Sequence, residues 1–342
     1  AAQAWRDLAQ GGGLLVAAAA AGSGQQGLFL STDGGLSWQQ ATAPAGRSYS
    51  ALSVSANGRT IAALDGSRLT VSRDAGLTWV SYTVPDEQVV DLVAFDDGRI
   101  LTADDPLRRE IKYRQNWWDL FEKTRIERYP GELRLMDVQG NWSTQALPNL
   151  NWNALSLSAD GKTVLAVAGN AWNDSGSAAI YLGQVAANGQ ISWSEQTRGA
   201  LSNGDWVAAD LDASGRHLVV AARNGRLYLA DTSVSGWSWR AVGPSADWSS
   251  VSISDDGLVL TATTSGASGG LWCSLDRGQS WSLAGQAMAT ATDWRAAAFD
   301  AASGQLIALA SGKPVYRFSP VATSAAPHLV LPQRLYLASD RI

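Results

Sequence analysis

The sequence has very few of the residues that build metal and redox sites. Its 342 residues include one cysteine, Cys273, and two histidines, His217 and His328. A single cysteine excludes an internal disulfide, and two histidines argue against a histidine-based metal site or a Ser-His-Asp triad. No glycine-rich phosphate loop stands at a strand–helix junction. The composition therefore indicates neither a metal nor a cofactor.

Long apolar runs and excess positive charge are also missing. No stretch approaches the roughly 20 apolar residues of a membrane helix. The net charge of −5 argues against general nucleic-acid binding. The chain begins Ala-Ala-Gln without an initiator Met, as expected for an exported protein whose signal peptide has been removed. We therefore expect a periplasmic, cell-surface or extracellular protein.

What the sequence does contain is one short phrase written three times, with the pattern S-x-D-x-G-x-x-W. Ser and Asp side chains can bond backbone N–H groups a few residues on, which closes a tight turn. Gly permits a positive φ inside that turn, and Trp anchors the next strand by burying a large apolar surface. The members are Ser31, Asp33, Gly35 and Trp38; Ser72, Asp74, Gly76 and Trp79; and Ser274, Asp276, Gly278 and Trp281.

This phrase resembles the Asp-box, or BNR repeat, of bacterial β-propellers. There it forms the turn between strands C and D of a four-stranded blade. The resemblance implies that these aspartates are structural rather than catalytic. It also favours export, since bacterial propellers of this type are commonly exported.

A second repeat begins with an aromatic residue, continues as a strand and ends in a polar turn with Gly. Trp152-Asn-Ala-Leu-Ser-Leu-Ser-Ala-Asp-Gly161 is one copy and Trp248-Ser-Ser-Val-Ser-Ile-Ser-Asp-Asp-Gly257 is another. Six starts with the aromatic residue and one without it, at Val90, predict an all-β, seven-bladed propeller of four-stranded antiparallel blades in one domain, 1–342. The predicted blades are 5–43, 48–85, 88–148, 151–199, 205–244, 247–287 and 293–342.

The sequence leaves two features of this ring undecided. The repeated Trp is expected to pack between blades, although a ring of aromatics around the channel is the alternative. The fourth strand of blade seven is either Arg334-Leu-Tyr-Leu-Ala338 or a strand from the N-terminal end.

The irregular segments are expected on the face opposite the Asp-box turns. In propellers the A–B and C–D turns share one face, here called the back. The B–C loops and the D–A links share the other, the front, which usually carries function. The repeated phrase is thus expected on the back.

The largest front segment is an insertion at 104–132 in blade three. It has helical character, with Leu107, Ile111 and Trp118 on an imperfect apolar stripe. It is locally basic and aromatic on an acidic protein, as docking elements are. Capping of the blade and an enzyme lid are the alternatives. The candidate partner-binding residues are Arg108, Arg109, Tyr113, Arg114, Trp117, Trp118, Phe121, Arg125, Arg128 and Tyr129.

A second candidate is the B–C loop of blade four, which contains Asn170, Trp172 and Asp174. A Trp beside Asn and Asp suits sugar stacking with hydroxyl hydrogen bonding. A turn that satisfies its own polar groups is the alternative. The loop should lie beside the insertion because blades three and four are neighbours.

Enzymatic readings find little support in the residues. Sialidases share the Asp-box, but a match would require an arginine triad and an Arg-Ile-Pro start, and Arg125-Ile-Glu127 is not that motif. Glycoside hydrolases of family 74 use two carboxylates across a cleft. No spacing selects such a pair from the front-face candidates Asp104, Asp105, Asp174 and Asp205.

The chain is also distantly similar to Ycf48-type photosystem II assembly factors, which are seven-bladed, exported and non-enzymatic. It lacks their recurrent Gly-Trp-Ala-Val-Gly strand. We therefore expect a non-enzymatic exported scaffold that docks a protein partner or a multi-subunit complex through the front of blades three and four. A glycan-binding propeller or a glycoside hydrolase is the alternative.

Overall fold

The computed structural model describes most of the chain. The described residues are 4–20, 26–44, 46–85, 89–104, 107–113, 123–129, 131–170, 178–197, 201, 204–264, 269–284, 294–300, 304–310, 313, 315–321 and 328–330. Side chains are described for all of these except 107–113, 123–129, 284, 300, 319–321 and 328–330.

The strands form seven four-stranded antiparallel sheets, called blades one to seven, and one separate hairpin. Blades one and two contain β1 (Ala4–Gly11), β2 (Leu14–Ala20), β3 (Gly27–Ser31) and β4 (Gln39–Gln40), then β5 (Ala51–Val54), β6 (Ile61–Asp65), β7 (Arg68–Ser72) and β8 (Val80–Thr83). Blade three contains β9 (Val89–Ala94), β10 (Ile100–Asp104), β13 (Leu133–Met136) and β14 (Trp142–Thr144), and the hairpin β11 (Leu107–Tyr113) and β12 (Lys123–Tyr129) is inserted between β10 and β13.

The other four blades follow the same order. Blades four and five contain β15 (Asn151–Leu157), β16 (Thr163–Gly169), β17 (Ala179–Val185) and β18 (Ile191–Glu195), then β19 (Trp206–Leu211), β20 (His217–Ala222), β21 (Gly225–Asp231) and β22 (Arg240–Ala246). Blades six and seven contain β23 (Trp248–Ile253), β24 (Leu260–Thr264), β25 (Leu271–Ser274) and β26 (Ser282–Ala284), then β27 (Trp294–Asp300), β28 (Gln305–Ala310), β29 (Tyr316–Val321) and β30 (His328–Val330).

The first strand of each blade contacts the first strand of both neighbouring blades, including β1 with β27, so the seven sheets close into a ring. These inner strands surround a central channel of about 740 Å³. The predicted seven-bladed β-propeller is confirmed. The fourth strand of blade seven is His328–Val330, upstream of the predicted Arg334–Ala338, which lies outside the described residues.

The helical insertion predicted in blade three is wrong. Residues Leu107–Tyr113 and Lys123–Tyr129 are antiparallel strands, with Leu107 opposite Tyr129 and Ile111 opposite Arg125. The mistake has a simple cause, because a spacing of four residues returns to the same side of a helix and also of a strand. No helix in the described part of the chain is long and apolar enough to cross a membrane.

The hydrophobic core consists of seven clusters, each lying between two adjacent blades. Six of them contain the aromatic residue at the start of an inner strand, and packing between blades is thereby confirmed for that residue. These aromatics are Trp5, Tyr49, Trp152, Trp206, Trp248 and Trp294, and all are at most 5% exposed. Cys273 is buried too.

Truncating one of these junction residues should weaken the whole ring. Trp206 is 1% exposed and meets Tyr228 edge-on at 5.5 Å between ring centroids. We expect Trp206→Ala to lower the free energy of unfolding by about 3–5 kcal/mol, measured by urea denaturation. Leu77→Ala is the control, since Leu77 is 78% exposed and its truncation should cost under about 0.5 kcal/mol. Equal losses in the two variants would contradict the junction role.

Candidate docking site on the front face

The S-x-D-x-G-x-x-W phrases form the turns between the third and fourth strands of blades one, two and six. In blade two the Ser72 hydroxyl donates to Asp74 Oδ1 and accepts the Gly76 N–H, both at 2.8 Å. Asp74 accepts both the N–H and the hydroxyl of Thr78, and Trp79 Nε1 donates to the Gly76 carbonyl at 3.0 Å. The polar side chains of Ser72, Asp74 and Trp79 are therefore all used inside their own turn.

The other two phrases repeat the serine and aspartate bonds of this network. The hydroxyls of Ser31 and Ser274 each donate to the aspartate two residues on and accept the N–H of the phrase glycine. In the middle copy, the bonds from Thr78 lower the pKa of Asp74 to about 2. The turn also needs its glycine, because Gly76 has φ 91° and a Cβ there would lie 2.6 Å from Leu30 of blade one.

These turns lie on the back of the ring. The Ala75 N–H of the phrase turn in blade two donates to the Arg59 carbonyl in the first turn of the same blade. Arg277 and Leu258 make the same contact in blade six. Antiparallel strand order then puts the second-to-third strand loops at the opposite end, which is the front.

The root of the insertion is fixed to blade three by a buried ion pair. Asp104, at the end of β10, is 1% exposed, and its Oδ2 lies 2.6 Å from Arg134 Nη1. Arg134 also contacts Glu132 at 3.1 Å, and the Asp104 N–H donates to the Glu132 carbonyl. The two ends of the insertion are thus held together where they leave the blade.

The hairpin above this root divides the predicted partner-binding residues between two faces. Because successive residues of a strand belong to alternate faces, the register places positions 109, 113, 125 and 129 on one face: Arg109, Tyr113, Arg125 and Tyr129. Arg108 and Arg128 lie on the other face, directly opposite one another in the register. The remaining predicted residues, Arg114, Trp117, Trp118 and Phe121, lie outside the described residues.

The predicted ligand loop of blade four is described only where it starts. The Asn170 N–H donates to Asp205 Oδ1 at 3.3 Å, so this end is tied to the link before blade five. Asp205 also pairs with Arg223 at 3.1 Å. Trp172 and Asp174 lie outside the described residues.

Three channel carboxylates were missed by the sequence reasoning. Asp7, Asp91 and Asp210 lie on inner strands, and each accepts an N–H from the inner strand of the next blade in the ring. The acceptor distances are 2.7 Å to Leu52, 2.7 Å to Leu155 and 2.9 Å to Ile253. The only sequence signal for these carboxylates is an Asp at an inner-strand position where most of the repeats have Ala or Ser.

Burial in this wall makes the carboxylates unusually easy to protonate. It raises the pKa of Asp7 to about 6 and that of Asp91 to about 7, and it raises the pKa of Asp210 as well. The N–H bonds oppose the rise, while the negative charges of Asp7 and Asp210 add to it at Asp91. Among the described residues, no group of three or more His, Cys, Asp or Glu side chains is placed to hold a metal ion.

Comparison with known proteins gives the fold and no family. No protein-family model matches the chain, and no curated protein matches it in sequence. Ycf48 bound to a D1 peptide is similar in structure, with 15% identity, a TM-score of 0.59 and 91% of each chain covered. The GH74 xyloglucanase of Xanthomonas campestris has 14% identity and a TM-score of 0.65, with 98% of this chain and 55% of the xyloglucanase covered.

A third similar structure is the Dos1 propeller, with 12% identity, a TM-score of 0.61 and 99% of this chain and 85% of that chain covered. At these identities the shared property is the propeller fold. The chain is a seven-bladed β-propeller similar in fold to Ycf48, and its front-face hairpin is the candidate site.

Removing the arginine at the hairpin root should destabilise the protein strongly. Arg134→Ala leaves the buried Asp104 carboxylate without this cation, and we expect a loss of about 3 kcal/mol in the free energy of unfolding. The control is Arg47→Ala, which breaks the more exposed pair Arg47–Asp65 at 3.3 Å and should cost under about 1 kcal/mol. Urea denaturation of both variants measures the difference, and similar losses would argue against a fixed root.

The channel carboxylates predict a pH-dependent stability. The folded-state pKa of Asp91 is raised from 3.8 to about 7, so its stabilising contribution is complete below pH 4 and is lost as the pH rises through 7. We expect the free energy of unfolding to fall between pH 5 and pH 8 by about 2 kcal/mol more in the wild type than in Asp91→Asn. Urea denaturation at both pH values tests this. Parallel curves for the two proteins would show that Asp91 does not titrate in this range.

Proposed function

We propose that this protein is a non-enzymatic, exported scaffold that docks a protein partner through the front of blades three and four. The observation that carries the proposal is the blade-three hairpin. It forms a sheet of its own, separate from the four strands of the blade, and a buried ion pair fastens its root.

Composition supports docking by this hairpin. Its two strands carry six basic and two acidic residues, while the whole chain has a net charge of −5. Arg and Tyr are frequent among the residues that dominate binding energy at interfaces. The similar Ycf48 structure holds a D1 peptide, which supports a protein partner for a propeller of this shape.

The front-face carboxylates that are described argue against glycan cleavage. Asp104 is paired with Arg134, and Asp205 is paired with Arg223. A hydrolytic pair needs one carboxyl group to donate a proton and another to act as base or nucleophile. Asp105 and Asp174 lie outside the described residues.

Deleting the hairpin should abolish partner capture and leave the ring folded. The variant joins Asp104 to Gly131 through an Asn-Gly turn, which suits a tight antiparallel connection, and keeps the ion pair of Asp104 with Arg134. We expect unchanged β-sheet circular dichroism and cooperative unfolding. For the intact protein, a photocrosslinking residue at position 124 captures the partner from an envelope extract of the source organism. The deletion variant lacks position 124, so affinity capture from the same extract measures whether it still binds that partner.

Leu77→Ser, on the exposed back turn of blade two, is the matched surface control and should retain the partner. An unfolded deletion variant would instead support capping of the blade by the hairpin. Full capture by a folded deletion variant would overturn the proposal. The xyloglucanase similarity favours the glycan alternative, and glycan-array binding that Trp172→Ala abolishes would establish it.

A further inference from the structure

The inner strands begin at the front of the ring, because the turns that end them lie on the back. In six of the seven blades, the register with the second strand shifts just after the inner strand begins. Each shift is a β-bulge, which adds one residue to the inner strand and redirects a side chain. The added residues are Arg6, Val90, Asn153, Val207, Ser249 and Arg295, and Ser50 has the same place in the repeat of blade two.

These seven residues line the front mouth of the channel. Two of them are arginines, and none is a carboxylate. Arg6 and Arg295 belong to blades one and seven, whose inner strands are in contact, and both residues are exposed. Asn153 shows how far an added residue reaches, because its Nδ2 donates across the junction to the Trp206 carbonyl of the next blade at 2.6 Å. The positive charge of the mouth is therefore concentrated at one junction.

The sign of the charge reverses directly inside the mouth. Asp7 and Asp91 follow the added residues of blades one and three, and both line the channel and are partly exposed. Asp7 accepts the Leu8 N–H at Oδ1 and the Leu52 N–H at Oδ2. Because each carboxylate oxygen has a second lone pair, these side chains can also accept hydrogen bonds from a group in the channel.

Compensation of the buried carboxylates is the simpler explanation for the two arginines. An arginine with that role would lower the pKa of Asp7. Burial instead raises the pKa of Asp7 to about 6, opposed by the N–H groups of Leu8 and Leu52. Arg6 also forms no salt bridge with any residue that the structure describes. Charge compensation therefore does not account for Arg6.

We propose that the channel mouth binds a small zwitterion, with its oxyanion at Arg6 and Arg295 and its ammonium group at Asp7 and Asp91. Arginine suits bidentate contact with a carboxylate or a phosphate, and an ammonium group has three donors for carboxylates. A simple anion would be repelled by the carboxylates, and a simple cation by the arginines. The channel of about 740 Å³ lies within the roughly 300–1,000 Å³ of small-molecule sites. This site is separate from the hairpin and does not depend on the docking function.

The test compares probes that differ in one charge. γ-Aminobutyrate carries both charges, butyrate lacks the ammonium group and n-butylamine lacks the carboxylate. Isothermal titration calorimetry at pH 8, where Asp7 and Asp91 are ionised, should show one γ-aminobutyrate site. The two single-charge probes should bind about tenfold or more weakly. 3-Aminopropylphosphonate is the phosphate-like arm, and the tighter of the two zwitterions identifies the oxyanion.

Two substitutions assign the charges to residues. Arg6→Gln should weaken γ-aminobutyrate binding by about tenfold or more without weakening n-butylamine binding. Asp7→Asn should weaken γ-aminobutyrate binding without weakening butyrate binding. Arg59→Gln makes the same change in net charge as Arg6→Gln at an exposed residue on the back, and it should keep the γ-aminobutyrate affinity within about twofold of the wild type.

Circular dichroism shows whether each variant is folded. If Asp7→Asn fails to fold, Arg6→Gln still tests the site, because the Arg6 side chain is exposed and makes no contact that the ring requires. Absence of binding by both zwitterions would refute the proposal. Equal affinities for γ-aminobutyrate and butyrate would show that the carboxylates take no part, and the zwitterion would then be wrong. Unchanged affinity in Arg6→Gln would overturn the assignment of the oxyanion to the mouth.

Discussion

The ring depends on how the inner edge of each blade satisfies its backbone N–H groups. The first strand of every sheet has a hydrogen-bonded neighbour on one side only, and an unpaired buried N–H is costly. Side chains of the preceding blade supply acceptors: Asp7 for Leu52, Ser53 for Ala94, Asp91 for Leu155 and Asp210 for Ile253. At these four junctions the same bonds also fix the register between adjacent blades.

This solution has an electrostatic consequence. A carboxylate can accept an N–H from its own strand and another from the next blade, as Asp91 does from Leu92 and Leu155. Serine at Ser53 supplies the acceptor for Ala94 without a charge. The price of the carboxylate is a buried negative group whose pKa is raised, to about 7 at Asp91. A cluster of titrating carboxylates in a channel would ordinarily suggest catalysis, but here each has a bonding role between blades.

The sequence predicted the features that repeat and missed those that occur in one or a few blades. The phrase turns and the junction aromatics recur at matched positions, so a single chain contains several independent copies of the signal. Asp7 and Asp91 occupy the same position of their inner strands, but only these two blades have Asp there, and Asp210 lies two residues further along its strand, so no repeat shared by most blades marks the three carboxylates. The insertion has no second copy either, and the four-residue spacing of Leu107 and Ile111 suits a helix or a strand. Register across the hairpin, which opposes Arg108 to Arg128, depends on loop geometry that composition does not reveal.

The two faces of the ring use their polar side chains differently. On the back, the serine and aspartate side chains of each phrase are bonded within their own turn, as Asp74 is to Ser72 and Thr78, so these groups have little hydrogen-bonding capacity left for a ligand. On the front, the ion pair of Asp104 with Arg134 anchors a hairpin whose charges are unequal across its rows. An anchored hairpin loses less conformational entropy on docking than a free loop of the same length. Under the proposed docking function, rigidity at the root therefore lowers the entropy cost of ordering the hairpin when a partner binds.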